Sequence, residues 1–421
     1  MRNISRALAR VVPDPYFELA TSVGEACVEL GARAYLVGGV VRDVLMGWIE
    51  FGDLDIMITD APPDPINLIA KAIGARVVKS SLFSTGRLDL NGTEFDLTVA
   101  RSESYRAPGA LPDVAPGVLS DDLARRDFSI NAMAAELSPD AFGDVIDPHD
   151  GQADLENAVL RTLHERSFHE DATRMLRAAR YAARFEFALE PRTREQLRNA
   201  LPHLRAISPV RFRNDLQRVF DEPDVPEVLA LLDSWGVIAE YLPGTAIDSK
   251  PWERFRAAKP SDQGQRHRIA FALLALTGDP TSHPTVDVRL ALDADATAAV
   301  RSAIALQGTL PELDADDLRP SELVKALDTQ IPDAVAANAL ATSNVNLSAR
   351  LALYLDTYRW VKPALDGHDV IGIGVKQGPA VGNVLARLRD ARLDGELDLR
   401  EEEVALVRQA VSRQDFFDPK G

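Results

Sequence analysis

The chain has 421 residues, 46% of them hydrophobic, which is too long for one typical core and predicts two to four domains of an ordinary globular protein. Its formal charge of −17 argues against indiscriminate nucleic-acid binding, because the field of the whole molecule would repel a phosphate backbone. Cys27 is the only cysteine, which excludes a disulfide framework or a cysteine-built zinc site, and no apolar run approaches the roughly 18 residues needed to span a bilayer. No membrane is expected, and a reducing cytoplasm fits best.

In chain order, the first ten residues space Arg2, Arg6 and Arg10 as a transit peptide would, but Asp14 and Glu18 follow so soon that a surface helix is expected. Ala34 to Val37 and Leu54 to Ile58 read as strands. Between them, the apolar run from Tyr35 breaks at Gly38-Gly39, where backbone amides can approach a phosphate, and a helix starting there points its positive end at the anion. On a strand over 53–58, Asp53 and Asp55 project from one face, close enough to share one or two hard cations. Pro65 to Ile73 reads as a helix stopped by Gly74. Arg87 to Val99 is a hairpin about Asn91-Gly92, with Phe95, Leu97 and Val99 toward the core and Glu94, Asp96 and Thr98 on the other face. A neighbouring strand therefore brings Asp96 beside Asp53 and Asp55, with Glu94 as the alternative. Prolines and glycines from Ser104 to Asp121 predict an irregular or mobile loop.

Beyond about Asp150 long helical patterns take over, punctuated by Pro202, Pro209, Pro223 and Pro226. From Arg161 to Arg218 there are 13 arginines against 7 acidic residues, a local balance of +6 that suggests a basic track for RNA or a triphosphate. Three motifs accompany it. In RRDFSINAMA, from Arg125 to Ala134, Arg126 and Asn131 could reach triphosphate and ribose oxygens, and Asp127 could fix an arginine or accept from a sugar hydroxyl. The bland alternative is a buried salt bridge between Arg126 and Asp127. In EDATR, Glu170 and Asp171 stand four and three residues before Arg174, so on a helix both acids neighbour one guanidinium. Arg177 and Arg180 continue along that helix, while Ala178, Ala179, Ala182 and Ala183 let another element approach. Finally, Ser208 looks like the cap of an architectural helix running through Gln217.

Taken together, these motifs from Tyr35 to Leu216 resemble the class II nucleotidyltransferases of the polymerase β superfamily, which comprise the tRNA CCA-adding enzymes and bacterial poly(A) polymerases. A weaker likeness extends over Leu365 to Leu397. The resemblance implies an α+β fold: a polymerase β-like head with a mixed sheet (1–150), then a helical neck (151–220), body (221–331) and tRNA-binding tail (332–421). It implies Mg²⁺ held by Asp53, Asp55 and Asp96, and nucleotide phosphates met by Gly38, Gly39 and Arg42. Arg126, Asp127, Asn131, Arg177 and Arg180 would contact the nucleotide, with Glu170, Asp171 and Arg174 as a protein template for its base. The implied activity adds C, C and A to the 3′ end of tRNA from CTP and ATP, with no obligate protein partner. Alternatives are an enzyme adding only CC or only A, a poly(A) polymerase, which the acidic total disfavours, and a noncatalytic RNA-binding relative, which would need to have lost a metal aspartate. One departure stands out: the segment 47–52 is about a residue longer than the family form. The seven histidines assemble no paired His-Asp metal motif.

Overall fold

The computed structural model describes residues 2–48, 54–80, 85–107, 109–110, 112–258, 260–278 and 286–413. Internal contacts divide the chain into two units, Met1–Tyr241 and Leu242–Gly421.

The first unit is built on a seven-stranded sheet. Its strands are β1 (Arg33–Val37), β2 (Asp55–Thr59), β3 (Arg76–Ser80), β4 (Thr85–Leu90) and β5 (Thr93–Val99), with a separate ribbon of β6 (Arg101–Ser104) and β7 (Asp113–Pro116), then β8 (Ala134–Glu136) and β9 (Val145–Ile146). The order in the sheet is β3-β4-β5-β2-β1-β8-β9. Only β2 and β5 pair in parallel, so the sheet is mixed, as the sequence leads one to expect. Asn91 (φ 55°) and Gly92 (φ 87°) both take positive φ, the requirement of the two-residue turn joining β4 to β5.

Alternation of side chains gives this sheet two different faces. Ala34, Leu36, Ile56, Ile58, Phe95 and Leu97 enter the main core beneath α1 (Ser5–Val11), α2 (Asp14–Glu29) and α4 (Pro65–Ile73). Burying Phe95 there contributes about 1.5–3 kcal/mol. Gly24 of α2 lies so close to the strand end that a Cβ would meet the Leu137 carbonyl oxygen at 2.1 Å, which fixes glycine at that crossing. Tyr35, Val37 and Met57 point the other way, into a smaller cluster with Leu123 and Ala134. Asp55 has the parity of Met57, so it belongs to this second face, away from the main core.

The segment 104–121 is more regular than its composition suggests, where described. β7 pairs with β6, and α5 (Leu119–Ala124) follows directly. Pro116 fits because a two-stranded ribbon has outer edges on which a missing N–H is not needed.

Helices complete this unit: α6 (Gly151–Glu156), α7 (Ser167–Glu170), α8 (Arg174–Phe185), α9 (Pro191–Ala200), α10 (Pro209–Phe220), α11 (Val225–Ser234) and α12 (Val237–Tyr241). Buried Ala178, Ala179 and Ala182 let α8 approach α11 closely. Ser208 caps α10 by accepting from the Arg211 N–H at 3.4 Å.

Among the described residues of the second unit, the named regular elements are all helices. Helices Gln263–Leu276, Ala294–Leu306 and Pro332–Ala341 pack on one another. One core joins Leu323, Val324 and Leu327 to Val335, Ala339 and Leu351, so residues on both sides of position 331 share it. A separate cluster of Leu365, Val370, Val384, Leu388 and Val407 organises the last three helices. No described helix is long and apolar enough to cross a membrane.

Candidate active site

β1 is followed at once by Gly38, with φ 73° and ψ −131°, a conformation in which a side chain is strained; a Cβ there would also sit 2.8 Å from Arg126 Nη1. The next helix, α3 (Gly39–Met46), carries Arg42 as a buried residue. Arg42 donates to Asn131 Oδ1 at 2.7 Å, pairs with Asp43 at 2.8 Å and lies over the Phe185 ring at 4.6 Å. Head helix and α8 are thus tied through one guanidinium.

Asp55 and Asp96 stand opposite each other on the parallel strands β2 and β5. Partners in such a pair project from the same face, which is the face turned from the main core. Glu94 is 2.9 Å from Arg87, whereas Asp96 lies 4.0 Å from the same group. Asp53 lies outside the described residues, and among those described no cluster of three or more His, Cys, Asp or Glu is arranged for a metal. The donor chemistry at Asp55 and Asp96 nonetheless suits a hard cation. Two adjacent carboxylates repel, and a divalent ion with oxygen ligands removes that repulsion.

Beside this pair opens a cavity of about 590 Å³. Its wall takes Arg42, Arg125 and Arg126 from the sheet side, Arg174, Arg177, Arg180 and Arg184 from α8, and Arg211 from α10, against only Asp55, Glu103, Asp127 and Asp171. In a chain of net −17 this is a concentrated positive field, suited to a multiply charged anion. The Nε atoms of Arg126, Arg174 and Arg177 are buried without a hydrogen-bond partner among the described residues.

Asp127 is buried, accepting from the Phe128 N–H at 2.8 Å and Asn131 Nδ2 at 3.0 Å, with Arg177 at 3.5 Å. Burial works to raise its carboxyl pKa, but the Arg177 charge and these hydrogen bonds outweigh it and hold the group below the usual aspartate value. The bland pairing of Arg126 with Asp127 does not form. Arg126 turns instead to buried Asp122 at 3.0 Å, one helical turn before it. Tyr105, also on the wall, donates to Glu103 at 3.0 Å, and burial pushes its phenol up to about 12.

The helical reading of Glu170, Asp171 and Arg174 needs correction. α7 ends at Glu170, and Asp171 is extended (φ −139°), accepting from the Thr173 N–H at 3.0 Å and hydroxyl at 2.7 Å. That side-chain turn competes with the helix, which restarts only at Arg174. Arg174 reaches Ser167 Oγ at 2.5 Å and the Arg125 carbonyl at 2.8 Å, while Asp171 is met by Arg211 at 3.0 Å and Arg177 at 3.9 Å. Asp171 and Arg174 still share the cavity; Glu170 turns away to His164 at 3.5 Å and Arg166 at 3.8 Å. The basic run likewise divides. Arg161, Arg192, Arg205 and Arg218 are ion-paired away from the cavity with Asp154, Glu165, Glu240 and Asp215.

Gly38, Gly39, Arg42, Arg126, Asp127, Asn131, Asp171, Arg174, Arg177 and Arg180 therefore meet at one cavity. Sequence reasoning missed Arg211, Glu103, Tyr105, Arg125, Tyr181 and Arg184 as wall residues. Arg125 and Arg184 lie inside motifs already read, and Arg211 inside the segment taken as architectural.

Fold and cavity together define a nucleotidyltransferase. The head-domain model described as "Poly A polymerase head domain" matches residues 34–161, and that described as "Probable RNA and SrmB- binding site of polymerase A" matches 186–248. The CC-adding tRNA nucleotidyltransferase of Deinococcus radiodurans is 33% identical over 89% of this chain and 88% of its own. The A-adding tRNA nucleotidyltransferase of Halalkalibacterium halodurans is 28% identical over 97% and 95%. Among solved structures, a CCA-adding enzyme in an apo form superposes with TM-score 0.83 at 26% identity, covering 97% of this chain and 99% of that one. A Thermotoga maritima CCA-adding enzyme complexed with tRNA gives 0.79 at 25%, covering 97% and 99%. The chain belongs to the family of tRNA nucleotidyltransferases and poly(A) polymerases. Enzymes of this family use a divalent metal.

Proposed function

We propose that the protein adds C, C and A to the 3′ end of tRNA, taking CTP and ATP and releasing pyrophosphate. The observation that carries this reading is the arginine-walled cavity beside the Asp55–Asp96 pair, within a chain alike from end to end to enzymes that act on tRNA. Those substrates meet in the cytoplasm, where we place the protein.

Residues 1–150 act as the catalytic head and 151–220 as the neck that reads the base, with body (221–331) and tail (332–421) gripping tRNA by shape and backbone. Asp55 and Asp96, with Asp53 from the segment before β2, would hold Mg²⁺. When bound, the ion lowers the pKa of the RNA 3′-hydroxyl and neutralises charge on the triphosphate. Gly38 and Gly39 let the backbone approach the phosphates, and Arg42, Arg126, Arg177 and Arg180 hold them by charge-assisted hydrogen bonds. Asn131 and Asp127 face the sugar. Asp171 accepts from the exocyclic amine that cytosine and adenine carry, and Arg174 donates to the neighbouring ring acceptor. Guanine and uracil offer a carbonyl in place of the amine, so an acceptor would face an acceptor.

A second reading, addition of CC alone or A alone, is favoured by one observation: relatives at 33% and 28% identity carry those partial activities. A poly(A) polymerase suits the acidic chain less well, and a noncatalytic relative is disfavoured by the retained Asp55 and Asp96.

Replacing Asp55 by alanine tests the reading. Incorporation of both CMP and AMP should fall at least about a thousandfold, with tRNA affinity nearly intact, because the carboxylate acts at the triphosphate. Undiminished turnover would sink the proposed centre.

A further inference from the structure

Arg180 and Arg184 lie one turn apart on α8, both on the cavity wall. Two guanidinium groups at that spacing repel each other and, left alone, would splay apart. A carboxylate from outside the cavity prevents this. Glu222, 2% exposed and just past the end of α10, accepts from Arg180 Nε at 2.7 Å and from Arg184 Nη2 at 2.6 Å through one oxygen, and from Arg184 Nε at 3.1 Å through the other. The remaining N–H donors of each fork are left for a ligand.

Resting on the nucleotide cavity proposed above, we infer that Glu222 is a positioning residue for nucleotide binding, fixing Arg180 and Arg184 so that their unbonded edges face the incoming phosphates. It acts entirely through the two arginines. Its charge and its geometry pull in opposite directions, which makes the inference testable by sign. A negative charge close to the cavity weakens attraction for an anion, so removing the charge alone should strengthen binding. Losing the orientation should weaken it, because each arginine must then be ordered at the moment of binding.

Glu222→Gln keeps the size and one acceptor oxygen but presents an NH₂ donor to a guanidinium. Steady-state kinetics with tRNA should show KM for CTP and for ATP raised roughly tenfold, with kcat within about threefold. Arg180→Ala should cost less in the Glu222→Gln background than in the wild type, since the two changes remove one unit. Glu222→Asp, which retains the charge, should fall between. An unmoved KM with a lowered Tm would make Glu222 merely structural and overturn the inference, as would a lowered KM, the mark of a charge effect alone. If Glu222→Gln does not fold, Arg180→Lys takes its place, keeping the charge while losing the fork; an unchanged KM there overturns the inference equally. Wild-type incorporation is the control. No incorporation of CMP or AMP by the wild type defeats the reading of the cavity and this inference with it, whereas normal wild-type turnover with an unmoved KM defeats only the role of Glu222.

Discussion

Asp127 shows how single residues here serve both stability and the site. Its carboxylate is buried, bonded to Asn131 and the Phe128 N–H, and faced by Arg177, which is 32% exposed. Removing one partner of a fully buried pair costs roughly 3–5 kcal/mol; with Arg177 partly in water, Asp127→Asn should cost about 2–4 kcal/mol at pH 7. Because the folded-state pKa is depressed, this stabilisation is complete above the ordinary aspartate value and is lost as pH falls through the lower folded value. Urea unfolding of both proteins from pH 7 down toward pH 2 should show the gap between them closing at the acid end. A gap constant with pH would mean that the Asp127 charge contributes nothing. The motif around Asp127 was legible in the sequence, but its partner was not. Arg177 lies 50 positions away, and only the fold shows that it, rather than Arg126, faces the carboxylate. The same holds for Asp171, whose partner Arg211 belongs to a helix that read as architectural.

At the scale of elements, local chemistry was the most readable. The Asn91-Gly92 hairpin, the helix closed by Gly74 and the break at Gly38-Gly39 all follow from backbone requirements that neighbours in sequence impose. The failures came where a side chain competed with the backbone or where pairing was long-range. Asp171 captures Thr173 and interrupts a helix that spacing alone would run straight through. β7 forms despite Pro116 because it needs only one partner strand. The turn from β1 into α3 supplies a prediction. Gly38→Ala puts a side chain at φ 73° and ψ −131° and a Cβ 2.8 Å from Arg126 Nη1, so it should lower stability by about 1–3 kcal/mol and displace Arg126. Gly39→Ala, inside the helix with its nearest atom at 3.3 Å, should cost less. Thermal unfolding of the two variants compares them directly, and equal losses would contradict the account of this turn.

At the scale of the whole molecule, charge separates two tasks. A net charge of −17 discourages loose association with nucleic acid, while the cavity wall gathers eight arginines against four carboxylates, a local field suited to an anion. The sheet face away from the main core makes room for that arrangement, and helices from the following residues supply most of its positive charge. The division into two contact-defined units at Tyr241 was not legible from proline and glycine punctuation, because Pro243-Gly244 looks like many other breaks in the chain. The central claim concerns what is added, and to what. It is tested most directly by supplying tRNA that lacks its last three nucleotides, with each labelled nucleotide separately and then together, and resolving the products to single nucleotides. CTP alone should extend the tRNA by two residues, CTP with ATP by three and no further, and UTP and GTP should give no product. Arrest after CC with both nucleotides present, addition of A alone, or an unlimited run of A would each contradict the account.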